Sequence, residues 1–167
     1  MKPFDINELV AGDFLFYGAK GFFDLSSQLV MRRTAWGYAV HVEIFHGWVD
    51  GERMSTASRN GIGVSLYPLR TAQLISVRRA KHNWNYEQAF TWFEEKAKGQ
   101  AYDWKGLLCF TYAVKCGSKD KMFCSEFATR FARQGDLFVM NYRDDADTVS
   151  PNDLDKTLAL KDIWRLK

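Results

Sequence analysis

The stretch AVHVEIFHGWVDGERMSTAS, residues 39–58, contains two strand patterns joined by a turn. Its first half alternates between two faces, with Val40, Val42 and Ile44 on one and His41, Glu43 and Phe45 on the other. This period of two predicts a half-buried β-strand over residues 39–46. Asp50-Gly51 favours a tight hairpin turn, so a second, antiparallel strand is predicted over residues 52–58.

The register of this hairpin determines which polar side chains meet. A two-residue turn would set Phe45 opposite Thr56 and His41 opposite Asn60. Thr56 would then lie four residues along the strand from His41, which at about 3.3 Å per residue is too far for a hydrogen bond. A wider or bulged turn would instead bring Thr56 opposite His41, and otherwise another residue would have to fill this role.

The rest of the chain contains further short strands and amphipathic helices. Strands are predicted over residues 12–18, 63–69, 73–80 and 162–166. Helices are predicted over residues 22–33, from the Asn85 cap to Gly99, over 103–114 and 124–135, and from Pro151 behind the Ser150 cap. Strands cluster early and helices late, which predicts the α+β class. No linker or repeat divides the chain, so residues 1–167 are predicted to form one domain.

The composition is typical of a folded globular domain. Of the 167 residues, 47% are hydrophobic and 16% aromatic, which excludes disorder over most of the chain. The net charge of +3 is small, and nucleic-acid binding is not predicted. The amino terminus lacks the apolar stretch of a signal peptide, and the least charged run, residues 106–114, is far shorter than the roughly 20 residues of a membrane-spanning helix. A cytoplasmic protein without stable membrane insertion is therefore predicted.

Three cysteines, Cys109, Cys116 and Cys124, are odd in number and form no C-x-x-C pair. This pattern disfavours a disulfide scaffold and a structural zinc site, and it predicts free thiols in a reducing compartment. Cys109 lies in an apolar helical run and is interpreted as a core residue. Cys116 is interpreted as an exposed loop thiol.

Cys124 begins the predicted helix 124–135. The positive end of a helix dipole stabilises a thiolate, so this position suits an activated nucleophile. The backbone amides from Ser125 onward would be available to bind a developing oxyanion. The alternative is that Cys124 is a small buried hydrophobic residue among phenylalanines.

A thiol nucleophile needs a base, usually histidine. Of the three histidines, His82 lies in a polar connection and His46 shares the parity of the core valines. His41 lies in the middle of its strand on the opposite face, where a polar side chain is either exposed or lines a cleft. A single strand histidine is more often structural, but one in the same domain as a helix-initiating cysteine is a candidate base.

An ordered set of motifs resembles the circularly permuted papain-like cysteine hydrolases of the NlpC superfamily, most closely the YiiX-like branch. The matching stretches are GDFLFYG (12–18), AVHVEIFHG (39–47), MSTASRNGIGVSLYPL (54–69), GQAYDW (99–104), FCSEF (123–127) and SPNDL (150–154). As in the permuted branch, the histidine precedes the cysteine. The resemblance implies a permuted papain-like fold, in which a small antiparallel sheet or half-barrel packs against helices.

The same resemblance implies that Cys124 is the nucleophile and His41 its base. The reaction would cleave an amide, ester or thioester through an acyl-enzyme, without a cofactor or metal. The substrate would be peptide-like, or an acylated small molecule or lipid. Tyr17 would be a site-wall residue, and the oligomeric state stays open.

The third polar residue, which orients the imidazole, is less clearly matched. The family places it just before an alanine on the neighbouring strand, and that position corresponds to Thr56. Threonine accepts a hydrogen bond but does not stabilise imidazolium as a carboxylate does. Asn60 and Glu43 are the substitutes. This weak match keeps open a second hypothesis, a binding module on the same fold whose catalysis has decayed.

Overall fold

The computed structural model describes residues 3–19, 29–30, 39–112, 114, 116, 118, 120–141 and 145–166. Six strands form one antiparallel sheet in the order β4-β3-β2-β1-β5-β6. The strands are β1 (Phe14–Gly18), β2 (Ala39–Val49), β3 (Glu52–Arg59), β4 (Gly63–Pro68), β5 (Leu74–Ala80) and β6 (Leu160–Arg165). With the helices described next, this sheet confirms the predicted α+β class.

Four α-helices lie within the described residues. They are α1 (Tyr86–Trp92), α2 (Trp104–Thr111), α3 (Cys124–Gln134) and α4 (Pro151–Lys156). α1 continues as a π-helical turn over Phe93–Ala97, and Asn85 and Ser150 cap their helices as predicted. In the described part of the chain, none of the helices is both long and apolar enough to cross a bilayer. The helix predicted over 22–33 lies outside the described residues except for Leu29 and Val30, which are helical.

β2 lies inside the sheet between β3 and β1, and side chains on both of its faces are buried. Val42 and Ile44 join the core that α3 covers, whereas Phe45 packs with Tyr17 in a second cluster. The prediction of a half-buried strand was therefore wrong. Alternation alone does not reveal that the polar face is also covered by protein.

The hairpin register contains one bulge that the turn does not predict. Val49 pairs with Glu52 as a two-residue turn requires, but the register shifts between Phe45 and Gly47. Phe45 consequently pairs with Ser55, and Thr56 pairs with Ile44. Thr56 therefore lies opposite neither Phe45, as expected for the regular hairpin, nor His41, as expected for a wider or bulged turn. Because directly paired residues share a face, Ser55 joins the face that carries Glu43 and His41.

Hydrogen bonds through residues 100–101 and Met122 connect the start of α3 to the edge of the sheet. The backbone of Gln100 accepts a hydrogen bond from Val64 of β4 at 2.8 Å. Ala101 accepts one from the amide of Met122 at 3.2 Å, and the Ser58 hydroxyl donates to the Met122 carbonyl. These contacts determine where Cys124 emerges relative to β2 and β3.

Cys109 and Cys116 form a disulfide, with Cα atoms 5.9 Å apart. The prediction of free thiols at these two positions was therefore wrong, and neither the core nor the loop-thiol interpretation describes them. Their spacing of seven residues does not indicate that they pair. Cys124 is the free cysteine. The predicted free thiols were an argument for a reducing compartment, and the disulfide removes that argument.

Candidate active site

Cys124 occupies the first turn of α3. The preceding residue, Phe123, has extended backbone angles and makes no side-chain capping hydrogen bond. The first amides of an α-helix have no intrahelical acceptor, so the positive end of α3 is directed toward Cys124. The cysteine is 2% exposed and belongs to the main hydrophobic core.

His41 of β2 interacts with Cys124 through a side-chain hydrogen bond and Coulombic attraction. Burial alone would lower the pKa of His41. The interactions with the Cys124 thiolate, together with those of Glu43, outweigh burial and raise the pKa of His41 to about 9. The imidazole is therefore cationic at neutral pH when it faces a thiolate. The tertiary structure thus brings together the two residues that the sequence singled out.

Glu43 contacts the other side of the imidazole. Its Oε1 lies 3.0 Å from His41 Nε2, and its side chain is completely buried. Burial would raise the pKa of Glu43, but the hydrogen bond and charge of His41, with those of Arg59, hold that pKa well below its usual range. An ionised carboxylate at this position orients the ring and stabilises its cationic form.

Two further side chains on β3 hold the Glu43 carboxylate in place. Arg59 donates from Nε to Oε1 at 2.9 Å and from Nη2 to Oε2 at 3.0 Å, a bidentate arrangement. Its guanidinium also stacks on Tyr67, 4.1 Å from the ring centre. The Ser55 hydroxyl donates to Oε2 at 2.5 Å.

Tyr17 pairs with His41 across β1 and β2, and their ring centres are 5.8 Å apart. Its hydroxyl has two acceptors within hydrogen-bonding distance, the Arg70 carbonyl at 3.1 Å and Glu43 Oε2 at 3.4 Å. Burial first, and then the charge of Glu43, raises the pKa of Tyr17, so the hydroxyl stays protonated. The side chain is 1% exposed, so it supports the site from within rather than forming an exposed wall.

Of the remaining predicted residues, Thr56 lies on the other face of the sheet, Asn60 in a turn, and Ser125 beside Cys124. Thr56 pairs with Ile44 on the opposite face from His41, and its hydroxyl donates to the Ile44 carbonyl at 3.3 Å. Asn60 is exposed in the turn after β3. The Ser125 hydroxyl is buried and donates to the Val149 carbonyl at 2.7 Å, so only its backbone amide is available at the start of α3.

Ser55, Arg59 and Arg70 were missed by the sequence analysis. The His-x-Glu spacing places Glu43 on the same strand face as His41. The sequence analysis nevertheless considered Glu43 only as a substitute for Thr56. No comparable signal marked Arg59, because its contact with Glu43 depends on how β3 is aligned with β2. In the described part of the chain, no three His, Cys, Asp or Glu side chains are grouped so that they could hold a metal ion.

No protein-family model matches this chain, and no curated protein matches it either.

Proposed function

We propose that this protein is a cysteine hydrolase that cleaves an amide, ester or thioester bond through an acyl-enzyme. Cys124 is the nucleophile, His41 the general acid and base, and Glu43 the residue that orients the imidazole. The observation that carries the proposal is the 3.0 Å contact of His41 with the buried Glu43 carboxylate, on an imidazole whose pKa the nearby Cys124 also raises. The motif resemblance to permuted papain-like hydrolases supports the same two catalytic residues and the same type of fold.

The chemistry follows from these contacts. The Cys124 thiolate attacks the carbonyl carbon, and the oxyanion that develops is stabilised by the amides at the start of α3, including that of Ser125. The His41 imidazolium then donates its proton to the leaving amine, alcohol or thiol, which leaves a thioester on Cys124. Water, deprotonated by His41, attacks the thioester, so that the carboxylic acid is released and the thiol is restored. Glu43 keeps Nε2 paired throughout.

The test is the rate at which iodoacetamide labels Cys124 across pH, because this reaction requires no known substrate. At about pH 6.5, well below the value near 8.5 at which an ordinary thiol ionises, we expect fast labelling of the wild type. His41→Ala should slow it strongly at that pH. His46→Ala is the matched control, since His46 lies on the same strand but its Nδ1 is 2.7 Å from the Tyr86 hydroxyl. Labelling of His41→Ala at the wild-type rate would contradict the proposal.

A second candidate function, a binding module without catalysis, is favoured by one observation. Cys124 is 2% exposed and belongs to the main hydrophobic core, as expected for a cysteine that only packs. In that case Cys124 would resist iodoacetamide until the protein unfolds. The same labelling experiment therefore separates the two functions.

A further inference from the structure

More hydrogen-bond donors surround the Glu43 carboxylate than it has lone-pair positions to accept them. A carboxylate offers about four lone-pair positions. Four hydrogen bonds of 3.0 Å or less fill them, two from Arg59, one from Ser55 and one from His41. A second arginine, Arg70, nevertheless places Nη2 3.2 Å from the same Oε1 that His41 contacts.

Arg70 is held in position beside the site and is open to solvent. Its guanidinium stacks on Tyr17, 4.6 Å from the ring centre, and its backbone carbonyl accepts the Tyr17 hydroxyl. Its side chain is 42% exposed, compared with 19% for that of Arg59. Among the described residues, the one anionic partner of Arg70 is Glu43, which Arg59 already compensates.

The charge at the site is therefore unbalanced. With the thiolate and imidazolium formed, His41, Arg59 and Arg70 are cationic and Glu43 and Cys124 are anionic, which leaves one net positive charge. An exposed, planar guanidinium is well suited to bind a carboxylate or phosphate through two hydrogen bonds. We propose that Arg70 is a substrate-binding residue, and that the hydrolase acts on acyl substrates carrying a carboxylate or phosphate group. This inference rests on the proposed function.

The experiment compares two alkylating reagents of similar size, anionic iodoacetate and neutral iodoacetamide, at Cys124. Arg70→Gln should lower the ratio of the iodoacetate rate to the iodoacetamide rate about three- to ten-fold, because the cation that attracts the anion is gone. Arg70→Lys, which keeps the charge, should retain most of the ratio. Arg53→Gln is the matched control, since Arg53 also stacks on an aromatic ring, 4.5 Å from the centre of Trp48, but lies at the hairpin end. Circular dichroism and the melting temperature check that each variant is folded.

Protection of Cys124 from iodoacetamide by inorganic phosphate and by N-acetylglycine identifies the anion. Stronger protection by one of them, lost in Arg70→Gln, names phosphate or carboxylate as the preferred group. An unchanged reagent ratio in Arg70→Gln, an equal change in Arg53→Gln, or protection by neither anion would overturn the inference. Failure of the proposed function looks different, because Cys124 would then label slowly with both reagents regardless of His41, and both proposals would be lost.

Discussion

His41 Nε2 and Glu43 Oε1 lie 3.0 Å apart, and a single residue, Val42, separates the two along β2. Side chains two positions apart on a strand point to the same face, so a single strand provides both members of the pair. The carboxylate is completely buried while the imidazole retains some exposure, 16% of its side chain. The imidazole therefore faces Cys124 on one side and, on the other, the buried Glu43 carboxylate that Arg59 and Ser55 hold in place.

Replacing Glu43 by Gln should lower the pKa of His41 from about 9, because both the charge and the charge-assisted hydrogen bond of Glu43 raise it. The imidazolium would then lose its proton at lower pH, and labelling of Cys124 near neutral pH should slow about ten-fold or more. NMR titration of the His41 ring measures the first effect and iodoacetamide kinetics the second. Glu94→Gln is the control, since Glu94 pairs with Lys98 on an exposed surface. A His41 titration that is the same in Glu43→Gln and wild type would contradict the role given to Glu43.

Ser55→Ala and Thr56→Ala should differ in effect although the residues are neighbours. Ser55 donates to the Glu43 carboxylate, so its loss should slow Cys124 labelling at neutral pH. Thr56 donates to a backbone carbonyl on the other face, so its loss should lower the free energy of unfolding by about 1 kcal/mol and leave labelling unchanged. Urea unfolding and labelling kinetics measure the two effects. Slower labelling in Thr56→Ala than in Ser55→Ala would instead favour Thr56 as the third residue.

Glu126→Gln should stabilise the protein at alkaline pH. Burial raises the pKa of Glu126 to about 7, although Arg130 partly opposes this. The folded state thus keeps a proton that the unfolded state has lost, so wild-type stability falls as pH rises from about 4.5 to about 7 and is constant above. Above pH 7, Glu126→Gln should raise the free energy of unfolding by up to about 3 kcal/mol, minus the contribution of the lost ion pair with Arg130. Urea unfolding at pH 5 and pH 8 measures this difference, and equal pH dependence of variant and wild type would contradict it.

The disulfide predicts a definite thiol count. Unfolded, unreduced protein should contain one reactive thiol, that of Cys124, and reduced protein three. Cys109→Ser and Cys116→Ser should each lower the free energy of unfolding by about 2–3 kcal/mol, since either change releases the same short loop. Reductant should destabilise the wild type and leave both variants unaffected. Three reactive thiols in the unreduced chain would show that the pair does not form.

Local patterns in the sequence were sufficient to predict most of the secondary structure. Alternation predicted β2, Asp50-Gly51 predicted the hairpin turn, and the Ser150 cap with Pro151 predicted the start of α4. These features depend on neighbouring residues and on backbone preferences that operate over a few positions. The same kind of evidence indicated that Cys124 begins a helix, as it does.

The partners of these residues depended on the tertiary structure. A single bulged position in the hairpin decided that Ser55, and not Thr56, shares a face with Glu43, because a shift of one residue reverses the face of every side chain in a strand. Burial of Glu43 likewise requires segments distant along the chain to meet, and no local pattern indicates that Cys109 pairs with Cys116, seven positions away. The sequence by itself therefore determined the local elements and two candidate catalytic residues. Only the packed sheet decided which charges surround them, since contacts between distant residues are not encoded in local periodicity.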